Sequence, residues 1–410
     1  MFNIAILGFG FVGSGVADIF FKNENIISKK TGGAVNIKYI LDIKDICGHP
    51  LSNRLVKDIN IILDDPEITL AVEAISGPAE PAYKFTKAAL ERGISVVTPN
   101  KAVVAEYGAE LLKTAEENGA YYMFEASVGG GIPVIRPIYN CLAANKINKI
   151  TGILNATTNF ILSKMAAEQI SFEQALKTAQ ELGYAERDPS SDIEGTDTCR
   201  KICILSSLAF GRQLPVDKVY TEGITKITLE DIQNAAQIGH NIKLVASSGL
   251  LSGKSGELMA YVAPMLVPQI SPLYNIGEIF NGITVTGDMT GDVMFYGQGA
   301  GKLPTASAIV ADIIDVLTKS AKNIRWEAGG GDYVCDFKKN ILKYYVRAES
   351  KPYDVIGVFK NAVIYEPDNE GGLFFITEEI EEYGFDAAIK TLADRGAEIK
   401  SVIRLFDSNA

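Results

Sequence analysis

The stretch that decides the fold lies near the N-terminus, where Asn3-Ile-Ala-Ile-Leu7 is followed directly by Gly8-Phe-Gly10-Phe-Val-Gly13. An apolar run, a glycine turn and a helix-compatible segment in this order predict a strand, a turn and a helix. At this spacing Gly8 permits the tight turn, Gly10 leaves room for a pyrophosphate, and Gly13 allows the helix to pack closely on the strand. The phosphate charge would lie at the helix N-terminus. The alternative is a glycine-rich turn without a ligand.

Further units of the same kind follow within the first 125 residues. Strand patterns cover residues 37–41, 70–75 and 95–98, with a helical pattern between the last two. Strands that alternate with helices favour a parallel, doubly wound sheet, whose ligands bind at the carboxyl ends of the strands. The residues at those ends are Gly8, Asp42, Ser76, Gly77 and 99–101.

Asp42 ends the second predicted strand. An acid at this position can hydrogen-bond the adenosine ribose 2'-hydroxyl and repels a 2'-phosphate, which favours NAD over NADP. Lys44, two residues later, could bind a 2'-phosphate, so NADP remains an alternative cofactor. Alternatively, Asp42 only caps the next turn.

Length and composition narrow the possible classes of protein. The chain has 410 residues, 47% apolar and 22% charged, which is typical of a globular protein with two or three domains. Five scattered cysteines indicate reduced thiols, and a net charge of -11 opposes binding to nucleic acid. Without a basic leader or an apolar run of about 18 residues, we expect a cytoplasmic protein with no membrane partner. A small-molecule substrate is the expectation that remains.

Lys101 follows the predicted strand 95–98 and begins a helical stretch. The helix dipole disfavours a positive charge at this end, which suggests a nearby anion or reacting carbonyl. The alternative is an ordinary surface lysine.

Two loops further along are candidates for ligand contacts. Glu125 precedes three consecutive glycines, 129–131, whose backbone could turn its carbonyls towards a monovalent cation or serve as a flexible hinge. The segment 155–159, Asn-Ala-Thr-Thr-Asn, joins a predicted strand to a helix. One N-cap needs fewer polar side chains than this, so some of them are expected to face a polar ligand.

The stretch 183–201, GYAERDPSSDIEGTDTCRK, gathers carboxylates before one lysine. Asp197 and Lys201 are four residues apart on one face of a predicted helix. Burial lowers the pKa of a lysine and a neighbouring carboxylate raises it, so such a pair suits proton transfer. The alternative is a salt bridge on a solvated helix. Four more carboxylates crowd the preceding turn and would suit a substrate ammonium: Glu186, Asp188, Asp192 and Glu194.

Six stretches together, in order, resemble the homoserine dehydrogenases. They are GFGFVG from Gly8, TPNKAVV from Thr98, FEASVGGGIPVI from Phe124, GILNATTNFIL from Gly152, LGYAERDPSSDIEGTDTCRK from Leu182 and GQGAGKLPTASAIVADI from Gly297. The resemblance implies a reversible NAD(P)H-dependent reduction of L-aspartate 4-semialdehyde to L-homoserine, in the route to threonine, methionine and isoleucine.

The resemblance also implies roles for individual residues. Lys201 would be the proton donor, supported by Asp197, with Lys101 near the nicotinamide and the substrate. Substrate contacts are expected from Glu186, Asp192, Thr157 and Tyr184, the first two with the ammonium. Ala156 stands where the family usually has glycine. Cofactor contacts are expected from Gly8, Gly10, Phe11, Val12, Gly13, Asp42, Ser76, Lys101 and Gly301. A sodium or potassium site is implied at Glu125, Val128, Gly130 and Ile132.

Three domains are predicted. Residues 1–130 form the Rossmann-type dinucleotide-binding domain, and residues 131–330 form an α+β substrate-binding, catalytic and dimerisation domain with an open sheet. Within the latter, residues 297–325 pack back on the first domain. Residues 340–410 form a small α+β domain similar in placement to an ACT regulatory domain. Its segment 350–359 lacks the expected turn and full helix, so truncation for assembly is an alternative to regulation.

Family analogy favours a homodimer or a higher homo-oligomer. Two alternative functions are a dehydrogenase for another amino-acid aldehyde or hydroxy acid, and a dinucleotide sensor without turnover. The pair of Asp197 and Lys201 argues against the sensor, since a sensor needs no proton donor.

Overall fold

The computed structural model describes residues 1–251, 256–366 and 372–407. The chain divides into two compact units, each assembled from separate segments. The first unit holds Met1–Ile147, Arg200–Val216 and Thr286–Gly331, and the second holds Asn148–Cys199, Asp217–Val285 and Asp332–Ala410. None of the helices in the described part of the chain is long and apolar enough to cross a membrane. The three predicted domain boundaries stay a prediction.

The N-terminal part of the first unit alternates strands and helices as expected. Its elements are β1 (Phe2–Leu7), α1 (Phe11–Lys22), α2 (Glu24–Thr31), β2 (Val35–Leu41), β3 (Leu55–Val56), α3 (Asn60–Leu63), β4 (Ile68–Glu73), α4 (Ala79–Glu91), β5 (Ser95–Val97), α5 (Lys101–Glu117) and β6 (Tyr122–Met123). The strands form a parallel sheet in the order β3-β2-β1-β4-β5-β6. This order reverses direction between β1 and β4, which confirms the doubly wound sheet and marks the ligand side.

The glycine turn between β1 and α1 has the geometry that its spacing predicts. Gly8 has a φ of 93°, a backbone conformation that residues other than glycine rarely adopt. A Cβ on Gly13 would lie 2.1 Å from the carbonyl oxygen of Gly8, so only glycine fits there. A Cβ on Gly10 would meet only the Ser76 hydroxyl, at 3.9 Å. Gly10 is therefore not required by packing, and its open backbone fits the approach of a ligand.

The rest of the chain adds the second unit and the remaining elements of the first. The elements are β7 (Ile147–Ile153), α6 (Ala156–Glu168), α7 (Phe172–Glu181), α8 (Ser190–Ile193), α9 (Thr196–Phe210), β8 (Tyr220–Thr221), α10 (Leu229–Gln237), β9 (His240–Leu250), β10 (Leu258–Pro268), β11 (Phe280–Gly287), β12 (Gly291–Gln298) and α11 (Lys302–Leu317). In the first unit, α11 packs on α1, where Gly15 faces Lys302 and Ala306. Lys302 also pairs with Asp18 at 2.6 Å.

Strands of the second unit form one open sheet in the order β11-β7-β9-β10-β18-β14-β16-β15, and β8 also pairs with β10. The C-terminal elements are β13 (Ile341–Leu342), β14 (Tyr344–Glu349), α12 (Pro352–Ile356), β15 (Val363–Tyr365), β16 (Leu373–Ile376), β17 (Ile380–Glu381), α13 (Glu382–Asp394) and β18 (Glu398–Leu405). Apart from the short pair β13 and β17, they follow the β-α-β-β-α-β arrangement of ferredoxin-like folds. The helix α12 has five residues, as short as its sequence predicts.

Buried ion pairs attach this C-terminal part to the rest of the second unit. Arg404 on β18 pairs with Glu222 at 2.6 Å and also binds Glu382. Arg347 on β14 pairs with Asp231 at 2.8 Å. Because these partners are buried or half-buried, removing one of them would leave a charge uncompensated.

Two helices contain a residue that usually breaks helices within their first turn. The helix α11 begins at Lys302 and has Pro304 in its first turn, where the missing N–H costs no helical hydrogen bond. The helix α13 begins at Glu382 and has Gly384 in its first turn. In both cases a residue that usually breaks helices lies where the helix tolerates it.

Candidate active site

A cleft in the first unit opens at the carboxyl ends of β1, β4 and β5. Its volume is about 380 Å³, and it is lined by Val12, 74–77, 99–102, 126–128, Gly130, Arg200, Lys201, Gly299, Ala300 and Thr305. The N-terminus of α1 begins beside it, so backbone N–H groups and the helix dipole favour an anionic ligand there. The open position at Gly10 fits the pyrophosphate of a dinucleotide.

Asp42 ties the glycine turn to the end of β2. One oxygen of its carboxylate accepts the N–H of Phe9 at 2.7 Å, and the other accepts the N–H of Lys44 at 2.8 Å. The carboxylate is half-buried. The bond to Lys44 is the turn cap considered as an alternative role, and the bond to Phe9 brings the same carboxylate to the dinucleotide turn. Each carboxylate oxygen can still accept a further hydrogen bond.

Two lysines line the cleft. Lys101 is the first residue of α5, whose N-cap is the Asn100 side chain, accepting from Val103 N–H at 3.3 Å. Lys201, on α9, has only 7% of its surface exposed. Both side chains line the same cleft, and two protonated amines there would stabilise a developing oxyanion.

Glu73, a buried carboxylate that sequence reasoning overlooked, lies beneath the cleft. It ends β4 with no exposed surface, and its two oxygens accept Ile75 N–H at 2.7 Å and Thr98 O–H at 2.6 Å. Burial raises the pKa of Glu73 to about 7, against the opposing effect of these hydrogen bonds. The only sequence signal is an acid inside the otherwise apolar run Leu70-Ala-Val-Glu-Ala-Ile75.

The loop with three glycines is pinned at both ends. The carboxylate of Glu125 accepts the N–H groups of Val134, Ile135 and Arg136 at 2.6 to 2.8 Å. Gly131 N–H donates to the carbonyl of Gln298 at 3.2 Å. The Glu125 side chain thus serves the following turn, and a cation at this loop would have to use backbone carbonyls.

In the second unit, Asn155 joins two of the predicted acidic residues. Its side-chain oxygen caps α6 by accepting Thr158 N–H at 2.8 Å. Its amide donates to Asp192 at 2.7 Å and to Asp197 at 2.9 Å. Asp197 is buried in the first turn of α9, the helix that also carries Lys201. Asn155 is therefore the N-cap of the segment 155–159 and also holds two carboxylates.

The other predicted substrate contacts also belong to the second unit. The Thr157 hydroxyl donates to the carbonyl of Tyr184 at 2.8 Å, which holds the turn after α7 against α6. The Tyr184 ring packs on Phe160 with centroids 4.9 Å apart. Glu186 is exposed, and its carbonyl accepts from Gln180 at 3.2 Å. Thr157 and Tyr184 are in contact, whereas in the described part of the chain no hydrogen bond joins Glu186 to either of them.

The remaining residues predicted to contact the cofactor or a cation lie at the glycine turn, along the cleft, at the start of α11 and in the loop with three glycines. Gly8, Gly10 and Gly13 form the turn, Phe11 is exposed at the start of α1, and Val12 and Ser76 line the cleft. Gly301, with a φ of 125°, is the N-cap residue of α11. In the glycine loop, Val128 and Gly130 line the cleft, and Ile132 is buried.

Two family models match the chain. The model described as "Homoserine dehydrogenase, NAD binding domain" matches residues 8–125, and "Homoserine dehydrogenase" matches residues 133–314. The homoserine dehydrogenase of Bacillus subtilis is 34% identical over 432 residues, covering 98% of both chains. That of Synechocystis is 41% identical over 327 residues, covering 78% of this chain and 75% of the relative.

Solved structures give the same result. A homoserine dehydrogenase from Thiobacillus denitrificans superposes with a TM-score of 0.90 at 32% identity, covering 99% of this chain and 98% of the other. One from S. aureus has a TM-score of 0.80 at 32% identity and the same coverage. These matches confirm the family resemblance and a nicotinamide dinucleotide as cofactor. The chain belongs to the homoserine dehydrogenase family, the NAD(P)-dependent oxidoreductases that interconvert an aldehyde and a CH–OH group.

Proposed function

We propose that Lys201 is the proton donor in the reversible reduction of L-aspartate 4-semialdehyde to L-homoserine. The observation that carries this proposal is that Lys201, nearly buried, lines the same cleft as Lys101 at the dinucleotide turn. The bound nicotinamide supplies the hydride. Lys201 gives a proton to the aldehyde oxygen as negative charge develops there, and Lys101 adds positive potential.

Asp197 supports Lys201 in this proposal. The two residues lie one turn apart on α9, the spacing at which helical side chains meet. A carboxylate at this distance favours the charged form of the amine, so that a proton is available when the aldehyde binds. Asn155 in turn orients Asp197 through its amide.

The substrate ammonium is assigned to the acidic turn. Asp192 and Glu186 supply negative charge, and Thr157 and Tyr184 shape the loop beside them. An amino-acid aldehyde carries the cationic group that a simple aldehyde lacks. The acidic turn would therefore select the amino-acid substrate.

NAD is the proposed preferred dinucleotide. Asp42 lies at the glycine turn and keeps lone pairs available for a ribose hydroxyl, while its charge opposes a 2'-phosphate. A hyperthermophilic archaeal homoserine dehydrogenase, 30% identical with a TM-score of 0.65, has been solved in complex with NADPH. Preference for NADPH is thus the competing outcome for this chain.

A sodium or potassium ion is proposed at the glycine loop. Within the described residues, no hydrogen bond ends on the carbonyl oxygens of Val128, Gly130 or Ile132. Backbone carbonyls suit hard monovalent cations, and the Glu125 carbonyl is the fourth proposed ligand. We also propose a cytoplasmic homodimer or higher homo-oligomer, supported by the open sheet of the second unit.

The test is the initial rate of NADH and NADPH oxidation with L-aspartate 4-semialdehyde, with NADH affinity measured separately by fluorescence. Lys201→Ala is expected to lose about 10²- to 10⁴-fold in kcat while binding NADH as the wild type does. Lys218→Ala, at a partly exposed lysine outside the cleft, is the matched control. A Lys201→Ala enzyme that retains more than about a tenth of the rate would contradict the role of Lys201 as proton donor.

A further inference from the structure

Glu73 connects two loops that both line the cleft. The segment 74–77 follows β4, and the segment 98–102 follows β5. From the first loop, Ile75 N–H donates to one oxygen of Glu73 at 2.7 Å. From the second, Thr98 O–H donates to the other oxygen at 2.6 Å. A single buried carboxylate thus fixes the separation of the two loops.

The contact continues from Thr98 to the residue before Lys101. The Thr98 hydroxyl accepts the N–H of Asn100 at 2.9 Å, and the Asn100 side chain lies close enough to Glu73 to lower the pKa of that carboxyl. Asn100 is the N-cap of α5, and Lys101 is the first residue of that helix. The conformation that places the Lys101 backbone is therefore held by hydrogen bonds that converge on Glu73.

The burial of Glu73 costs free energy that no salt bridge within the described residues offsets, which suggests that this carboxyl is retained for a function. A fully buried carboxylate loses its hydration, and hydrogen bonds from a backbone N–H and from uncharged side chains replace it. The buried carboxylate of Glu382, by contrast, has a basic partner in Arg404. Tyr122 on β6, which β5 separates from β4, is also buried, and burial together with the charge of Glu73 raises its pKa well above the usual value. A tyrosine side chain cannot carry a positive charge, so Tyr122 does not neutralise Glu73.

We propose that Glu73 is a positioning residue, which sets the place of Lys101 in the cleft through Thr98 and Asn100. This inference rests on the proposed function only in that it takes the lysine at 101 as the group whose position matters to turnover. The geometry of the transition state is sensitive to displacements of about 1 Å, which can cost about 100-fold in rate. Loosening the start of α5 would displace Lys101 without removing its charge.

The test is a double-mutant cycle between Glu73→Gln and Lys101→Ala. Glutamine keeps the size of the side chain but leaves one acceptor oxygen where Glu73 offers two. In the wild-type background we expect Glu73→Gln to lower kcat about 10- to 100-fold. In the Lys101→Ala background the same change is expected to lower kcat less than about twofold, because the residue it positions is absent. Glu110→Gln, at the partly exposed carboxylate on α5 that pairs with Lys87, is the matched control.

Substitutions at Thr98 provide a second, independent variant if Glu73→Gln folds poorly. Thr98→Val removes the hydroxyl at nearly constant volume and should reproduce the loss in kcat. Thr98→Ser keeps the hydroxyl and should restore most of the rate. Equal losses from Glu73→Gln in both backgrounds, or from Thr98→Ser and Thr98→Val, would overturn the proposal.

NADH affinity, measured by fluorescence, separates failure of this inference from failure of the proposed function. If the wild type does not reduce L-aspartate 4-semialdehyde, the proposed substrate is wrong, but the same four variants still form a cycle in the Kd for NADH. Non-additive effects of Glu73→Gln and Lys101→Ala on that Kd would then support the positioning role. Additive effects on Kd would reject it.

Discussion

The side-chain amide of Asn155 donates a hydrogen bond of 2.9 Å to the carboxylate of Asp197. The second proton of the same amide is used at 2.7 Å on Asp192, so one neutral group holds two carboxylates in place. The oxygen of Asn155 meanwhile caps α6. A residue 42 positions away in sequence thus fixes the acid that precedes Lys201 by one helical turn.

Two substitutions at Asn155 distinguish the role of its side-chain oxygen, which caps α6, from the role of its amide, which holds the carboxylates. Asn155→Ser should retain most of the cap on α6 but lose both hydrogen bonds to the carboxylates, and we expect kcat to fall about 10-fold or more. Asn155→Ala should show the same fall in kcat. Because it also removes the cap, it should lower the free energy of unfolding by about 1 kcal/mol. Steady-state rates and urea unfolding measure the two effects. Wild-type kcat in Asn155→Ser would show that the amide is not needed to orient Asp197.

Substitutions at two glycines of the dinucleotide turn should have different effects, one on stability and one on NADH binding. Gly13→Ala places a Cβ 2.1 Å from the Gly8 carbonyl oxygen, so we expect a loss of about 1–3 kcal/mol in the free energy of unfolding. Gly10→Ala meets nothing closer than 3.9 Å and should cost less than about 1 kcal/mol. It should nevertheless raise the Kd for NADH about 10-fold or more, because the methyl group occupies the approach to the backbone. Fluorescence of Trp326, the single tryptophan, reports unfolding of the first unit. If Gly10→Ala binds NADH normally, the pyrophosphate does not lie at this turn.

Asp42 should control the choice of dinucleotide. Asp42→Asn removes the charge that repels a 2'-phosphate, and we expect the ratio of kcat/KM for NADH over NADPH to fall about 10- to 100-fold. Rates with the two cofactors measure this ratio. Asp45→Asn, an exposed acid that pairs with Lys57, is the control and should leave the ratio unchanged. An unchanged ratio in Asp42→Asn would mean that this carboxylate serves only the turn contacts with Phe9 and Lys44.

Glu73 should make stability depend on pH. Its pKa is raised by burial from 4.5 to about 7, so the native state binds more protons than the unfolded state between these values. The stabilisation from the protonated form is therefore fully present below about pH 4.5 and is lost as pH rises through about 7, at about 1.4 kcal/mol per pKa unit. The difference in unfolding free energy between wild type and Glu73→Gln, followed by Trp326 fluorescence in urea, should fall from pH 5 to pH 8.

Glu110→Gln provides the control for this pH dependence. Its hydrogen bond to Lys87 lowers the pKa of Glu110, so any change in stability should occur below about pH 4.5 and leave the interval from pH 5 to 8 flat. A flat difference for Glu73→Gln as well would show that the buried carboxyl is ionised throughout this range.

Local patterns predicted the first unit well. The alternation of strands and helices, the positive φ of Gly8 and the close packing at Gly13 all follow from spacing along a short segment. A helix cap within 155–159 was predicted for the same reason, since a cap bonds residues three positions away, and Asn155 is the residue that makes it. These features depend only on residues that are close in sequence, so the local pattern is enough to predict them.

Features that depend on distant residues were not predicted. Glu73 lies within an apolar run, and nothing in that run identifies Thr98, 25 residues later, as a donor to its carboxylate. The amide bonds of Asn155 span 37 and 42 residues and could not be inferred from the cap. In the same way, the sequence predicted a cation site near Glu125 without revealing that its carboxylate accepts three N–H groups.

The discontinuous first unit has a consequence for synthesis on the ribosome. The helix α1 appears early in translation, but α11, which packs against it, begins only at Lys302. At about 5–20 residues per second, the covering helix emerges roughly 15 to 60 s after the one it covers. During that interval an apolar face of the nascent chain stays uncovered. The dinucleotide turn is therefore synthesised early but covered late, and exposed apolar surface of this kind favours aggregation during the delay.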